Sequence, residues 1–196
     1  MAIEKIVPDG TTTSHPTWTE TDGGTGNVHL ALDADDSNYE QCTTVTNFFI
    51  VSFANPTSTI ASINSIRFYV NGYDSGVRGA SDVVSFDLLN DSDASYGLSE
   101  NKTFTDGTLS TVQAGTARTT YDGSNAWDED IVKNLRMKVT WATENNVNCL
   151  LRLDHLYIDI DYNAPPPPAA PTYDNTVNSI SLTSGNINIS SGNIFI

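Results

Sequence analysis

The side chains with most chemistry to offer are carboxylates, and they come in clusters. Asp33-Ala-Asp-Asp-Ser-Asn38 sets acidic oxygens at Asp33, Asp35 and Asp36, a spacing in which hard oxygen ligands can converge on calcium. It departs from the helix–loop–helix calcium pattern, because the loop glycine is missing and Thr44 stands where a bidentate glutamate would close the shell. Asn90-Asp-Ser-Asp93 is a second loop of the same character. Solvated turns are the competing reading of both, since Asp and Asn side chains bond their own neighbouring backbone. Calcium on Asp33, Asp35 and Asp36 is the one cofactor the sequence raises.

Catalytic patterns are missing. The three histidines, His15, His29 and His155, fall in no HExxH spacing, and neither a GxSxG elbow nor a GxxxxGK[ST] loop occurs. Acids and serines are so numerous that a carboxylate pair or a Ser-His-Asp set assembled from distant positions would mean little. The chain therefore reads as a non-enzyme. Cys42 and Cys149 are too far apart for a CxxC or zinc-knuckle motif; one bridge and two buried thiols both stay open. Of the three tryptophans, Trp141 falls on the apolar face of an alternating segment and belongs to the core. Trp18 and Trp127 could stack on sugar rings or could plug the ends of a β-sandwich. Tyr73 and Tyr96 are further aromatic candidates.

The elements that must position these residues are strands. Leu156-Tyr-Ile-Asp-Ile-Asp-Tyr162 puts Leu156, Ile158, Ile160 and Tyr162 on one face and Tyr157, Asp159 and Asp161 on the other. Similar alternation runs through 134–141, 65–70 and 82–89, with a nearly continuous apolar run at 48–53 and a further candidate at 28–32. Weaker candidates lie at 102–105, 109–113, 117–121 and 148–153. Turn signals separate them: residues 22–27, Asn71-Gly72, Asp106-Gly107, Asp122-Gly123 and 144–146. One short helical turn is expected at 126–133, capped by Ser124 or Asn125. These features predict an all-β chain, an antiparallel β-sandwich of jelly-roll type, with a closed barrel as the other architecture.

Composition narrows the partners. The chain has 196 residues, 24 acidic against 9 basic, for a net charge of −15. Phosphate recognition rests on clustered Lys and Arg, so neither nucleic acid nor an anionic membrane is an expected partner. Eighteen of the acids are Asp and six are Glu, which places the charge on turns rather than helices. No segment has the apolar length of a signal peptide or a membrane span.

Four regions follow: an N-terminal arm at 1–13, the sandwich at 14–162, a proline-rich linker at 163–171 and a tail at 172–196. Five of the nine linker residues are proline, which favours an extended spacer. In the tail Ser184-Gly-Asn-Ile187 recurs as Ser191-Gly-Asn-Ile194, and the pairs Ile180/Leu182, Ile187/Ile189 and Ile194/Ile196 step by seven. Such short β units need a neighbouring sheet edge or copies of themselves, so the tail reads as a partner-binding element that works by strand addition. The arm is the second candidate contact.

In order, a Thr/Gly-rich opening with Trp18 leads to the acidic element at 31–39 and the apolar strand at 48–53. The strand after Pro56, the Trp127 turn and the closing segment 152–162 follow. Over residues 10–162 this resembles small β-sandwich structural proteins of tailed bacteriophages. The resemblance implies a virion protein assembled in the host cytoplasm, most simply a capsid decoration or cement protein. Its partners would be the major capsid protein or other virion proteins, together with further copies of itself. The alternative it leaves is a carbohydrate-binding or adhesin module of a phage tail or fibre.

Overall fold

The computed structural model describes residues 1–13, 18–20, 32, 39–74, 81–105, 112–143 and 151–169. The chain divides into two compact units, Met1–Pro165 and Pro166–Ile196. Among the described residues eleven strands form, all in the first unit. They are β1 (Ala2–Ile6), β2 (Pro8–Thr13), β3 (Trp18–Glu20), β4 (Glu40–Cys42), β5 (Phe48–Phe53), β6 (Ser62–Asp74), β7 (Ser81–Leu89), β8 (Glu100–Thr105), β9 (Gln113–Ala114), β10 (Arg136–Thr143) and β11 (Leu151–Asn163). A short helix, α1 (Glu129–Lys133), precedes β10.

The strands pair antiparallel in two sheets. The larger sheet runs β3-β4-β11-β6-β9, and β1 also pairs with β11; the smaller runs β2-β5-β10-β7-β8. From β4 onward the strands share out as β4-β11-β6-β9 against β5-β10-β7-β8, the order of an eight-stranded jelly roll. On β11, β6 takes one edge along the whole strand, whereas β4 pairs with residues 151–153 and β1 with 158–162.

Period-two alternation explains the layers. Ile66, Phe68 and Val70 of β6 and Leu156, Ile158 and Ile160 of β11 are buried, and they face Phe49, Val139 and Phe86 of the other sheet in one core. Phe68 stacks on Phe86 across the layers with centroids 5.0 Å apart, and Trp18 meets Phe49 edge-on at 4.8 Å. One open side is tied by Glu100 of β8. Its carboxylate accepts from Lys102 Nζ at 2.7 Å and from Thr116 N at 2.8 Å, while Lys102 also donates to the Ala114 carbonyl at 2.6 Å. These bonds join the edge strand of the smaller sheet to that of the larger.

Several local expectations change. Residues 1–13 are not a free arm: β1 pairs with β11, β2 pairs with β5, and Ile6 and Pro8 are buried. Leu32, the described residue of the expected strand 28–32, is helical and wholly buried. Asn71-Gly72 is no turn. Gly72 lies inside β6 opposite Leu153, where a Cβ would come within 2.5 Å of the Arg152 carbonyl oxygen. Gly123, by contrast, does take a turn conformation, with φ of +84°. Helix α1 is shorter than expected and is capped by Asp128, whose Oδ1 accepts from Ile131 N at 2.8 Å. Segment 117–121 makes only isolated bridges, Ile66 to Arg118 and Thr120 to Ala126. The turn signals at 22–27, Asp106-Gly107 and 144–146 lie outside the described residues.

Candidate functional site

Aromatic and charged side chains gather on the outer face of the larger sheet. A β-bulge sets their alignment: the register between β11 and β6 shifts between Leu153 and His155, leaving Asp154 as the extra residue. Leu153 and Leu156, three apart, are thereby both buried, and His155 joins Tyr157, Asp159 and Asp161 on the opposite face. The register then sets Tyr157 opposite Tyr69, and Asp159 between Lys5 of β1 and Arg67 of β6.

Two rows result. In the upper row the Tyr157 and Tyr69 rings are parallel within 11° and 4.7 Å apart. Lys5 Nζ lies 3.8 Å from the Tyr157 centroid. Tyr157 is thus flanked by an ammonium and by a second ring. On the β9 side the register partner of Tyr69 is Ala114, which is exposed and carries only a methyl group. His155 approaches Tyr157 with centroids 4.9 Å apart, and farther along β11 the Arg152 guanidinium lies 4.3 Å from the Tyr39 centroid.

The lower row is polar. Partial burial pushes the Asp159 carboxyl up from its ordinary value, against the pull of Lys5, a hydrogen bond from the Tyr69 side chain and the charge of Arg67. Burial likewise raises the Tyr157 phenol, helped by Asp159 and Tyr69. Asp161 accepts from Asn64 Nδ2 at 3.0 Å, and Asn163 Nδ2 donates to Asn64 Oδ1 at 2.9 Å. A half-exposed ring bordered by donors and acceptors can stack on an apolar sugar face while bonding its hydroxyls.

The residues singled out from sequence are placed otherwise. Trp18 is 1% exposed and Trp127 3%, so neither indole presents a face to a sugar. Their large apolar area is spent in the core. Trp127 Nε1 donates to the Arg118 carbonyl at 2.9 Å, and Tyr96 and Tyr121 pack edge-on around it. In the loop at 90–93, Asn90 Oδ1 accepts from Ser92 N and Ala94 N, and Asp93 pairs with Arg136 at 2.7 Å, which makes it a self-capped turn. No group of three or more His, Cys, Asp or Glu among the described residues is placed to hold a metal. Asp33, Asp35 and Asp36 lie outside them, as do Cys149 and the tail residues Ile180, Leu182, Ile187, Ile189, Ile194 and Ile196. Cys42 is buried, and its Sγ donates to the Thr44 carbonyl at 3.3 Å. Among the described residues no helix is long and apolar enough to cross a membrane.

No protein-family profile and no curated protein matches the chain. Among solved structures it is similar to the CBM36-1 domain of a multidomain xylanase from the hindgut metagenome of Trinervitermes trinervoides. The identity is 9% and the TM-score 0.43, over 84% of this chain and all of that one. The strand order β4-β11-β6-β9 against β5-β10-β7-β8 defines the sandwich.

Proposed function

We propose that this chain is a non-catalytic glycan-binding module whose site is the outer face of β1, β11 and β6. One observation carries the reading: the Tyr157–Tyr69 pair, in register on a sheet face, with Tyr69 half-buried beside the small Ala114 and Lys5, Arg67 and Asp159 one row away. Sheet aromatics of this kind offer rigid stacking area at low conformational cost, and the polar row supplies orientation. The resemblance to virion proteins adds a place of display, a phage tail or fibre.

The test is binding of the full chain to a panel of immobilised glycans. Tyr69→Ala is expected to lower binding at least tenfold without changing the unfolding temperature by more than a few degrees. Equal binding by this variant and the parent protein would remove the site. Particle imaging that places the chain between capsid subunits, with the Tyr69 face covered by protein, would favour the decoration role instead.

A further inference from the structure

Arg67 differs from the other described basic residues. Lys102 and Arg118 lie within 4 Å of Glu100, Lys133 pairs with Glu129, and Arg136 pairs with Asp93. Lys5, Lys138 and Arg152 lie over the rings of Tyr157, Phe48 and Tyr39. Arg67 is exposed and, among the described residues, has neither an ion pair nor a ring. Asp159 stands opposite it in the register but is hydrogen-bonded by Tyr69. In a chain of net charge −15, an exposed guanidinium that shares the charge of Asp159 with Lys5 sits beside an aromatic ring.

The spacing suits a ligand that carries its own anion. Arg67 and Tyr69 are two apart on β6, so they share a face with Cα atoms roughly 6.6 Å apart. That is about the size of one pyranose ring with its substituent. We propose that the glycan taken by this face is acidic: a pyranose bearing a carboxylate, with its ring on Tyr69 and its carboxylate on the Arg67 guanidinium. The inference rests on the glycan-binding reading above. A guanidinium fork meets a carboxylate through two parallel hydrogen bonds, each about twice as strong as a neutral one. The protein's distant acids weigh little on this contact, because at physiological salt charges farther than about 8 Å are largely screened. Within the row itself Lys5 and Arg67 flank Asp159, while Asp161 is taken up by Asn64.

The test uses matched ligands that differ only in charge. Titration calorimetry of the full chain compares oligogalacturonate with its methyl ester, and sialyllactose with lactose, so that the uronate and sialate sources are separated. At least one acidic member is expected to bind tenfold or more tightly than its neutral partner. Arg67→Gln should erase that difference while leaving the unfolding temperature in place. If acid and neutral members bind alike, and Tyr69→Ala abolishes both, the acidic specificity is overturned and the glycan site stands. Acidic specificity falls in the same way if the parent protein binds neither pair but binds other neutral glycans of the panel through Tyr69. Binding to no glycan at all overturns both readings.

Discussion

Lys5 stands opposite Asp159 in the register, yet its ammonium rests 3.8 Å from the centre of the Tyr157 ring. Tyr157 is therefore flanked by Lys5 and by Tyr69, and Tyr69 is stacked in turn on Tyr157. On the β9 side Tyr69 meets only the small Ala114 in the register.

Lys5→Met keeps most of the aliphatic packing and removes the charge. Exposed cation–ring contacts contribute about 0.5–1 kcal/mol, so chemical denaturation should show a loss of that order. A loss above about 3 kcal/mol would mean that Lys5 holds β1 in place by some other contact than this one.

Glu100 gives the sandwich an acid sensitivity. Burial pushes its carboxyl up, but the bonds from Lys102 and Thr116 outweigh that and hold it below its ordinary value of 4.5. Glu4 is depressed in the same way, burial being overcome by bonds from Thr57 and Ser58 to its carboxylate. A depressed carboxyl contributes its full stability above the unfolded value, and that contribution drains away as pH falls through the folded value. Thermal unfolding followed from pH 7 down to pH 3 should show a decline beginning near 4.5 that is shallower in Glu100→Gln. Parallel curves for the two proteins would contradict the tie.

Trp127 tests the core assignment against the surface one. Trp127→Ala should cost about 3–5 kcal/mol, as large-to-small changes at buried aromatics do. Trp127→Phe also gives up the bond to the Arg118 carbonyl and should lose about 1–2 kcal/mol from that source. Tryptophan emission of the native protein should be blue-shifted and poorly quenched by iodide. Efficient quenching of all three indoles would refute the burial.

Gly72→Ala puts a methyl group against the Arg152 carbonyl, so the β6–β11 ladder must open locally. The expected result is a lower unfolding temperature together with faster amide exchange at Leu151 and Leu153. An unchanged exchange pattern would show that the ladder absorbs the methyl group elsewhere.

The long strands are legible in the sequence because their apolar residues recur at every second position, as in 156–162 and 134–141. β1 is not, since Glu4 occupies a position of the same parity as Ala2 and Ile6; its carboxylate is taken up by Thr57 and Ser58. β9 holds two residues, too few for any period to show. Tyr157 is visible as an outward residue, but pairing it with Tyr69 needs a register between strands far apart in the chain. Trp18 and Trp127 stand out in the sequence as the largest rings, and size is also what draws a ring into the core. The step from Leu153 to Leu156 is the one local trace of the bulge that aligns His155 with the tyrosines.

β1 and β11 run in opposite directions side by side, with Ala2 across from Tyr162. A pull applied between the first residues and the start of the proline segment would therefore peel β1 away rung by rung, rather than shear all its hydrogen bonds together. As a mechanical link between those two points the module would yield at low force, whereas tethered through one of them it keeps every strand out of the load path.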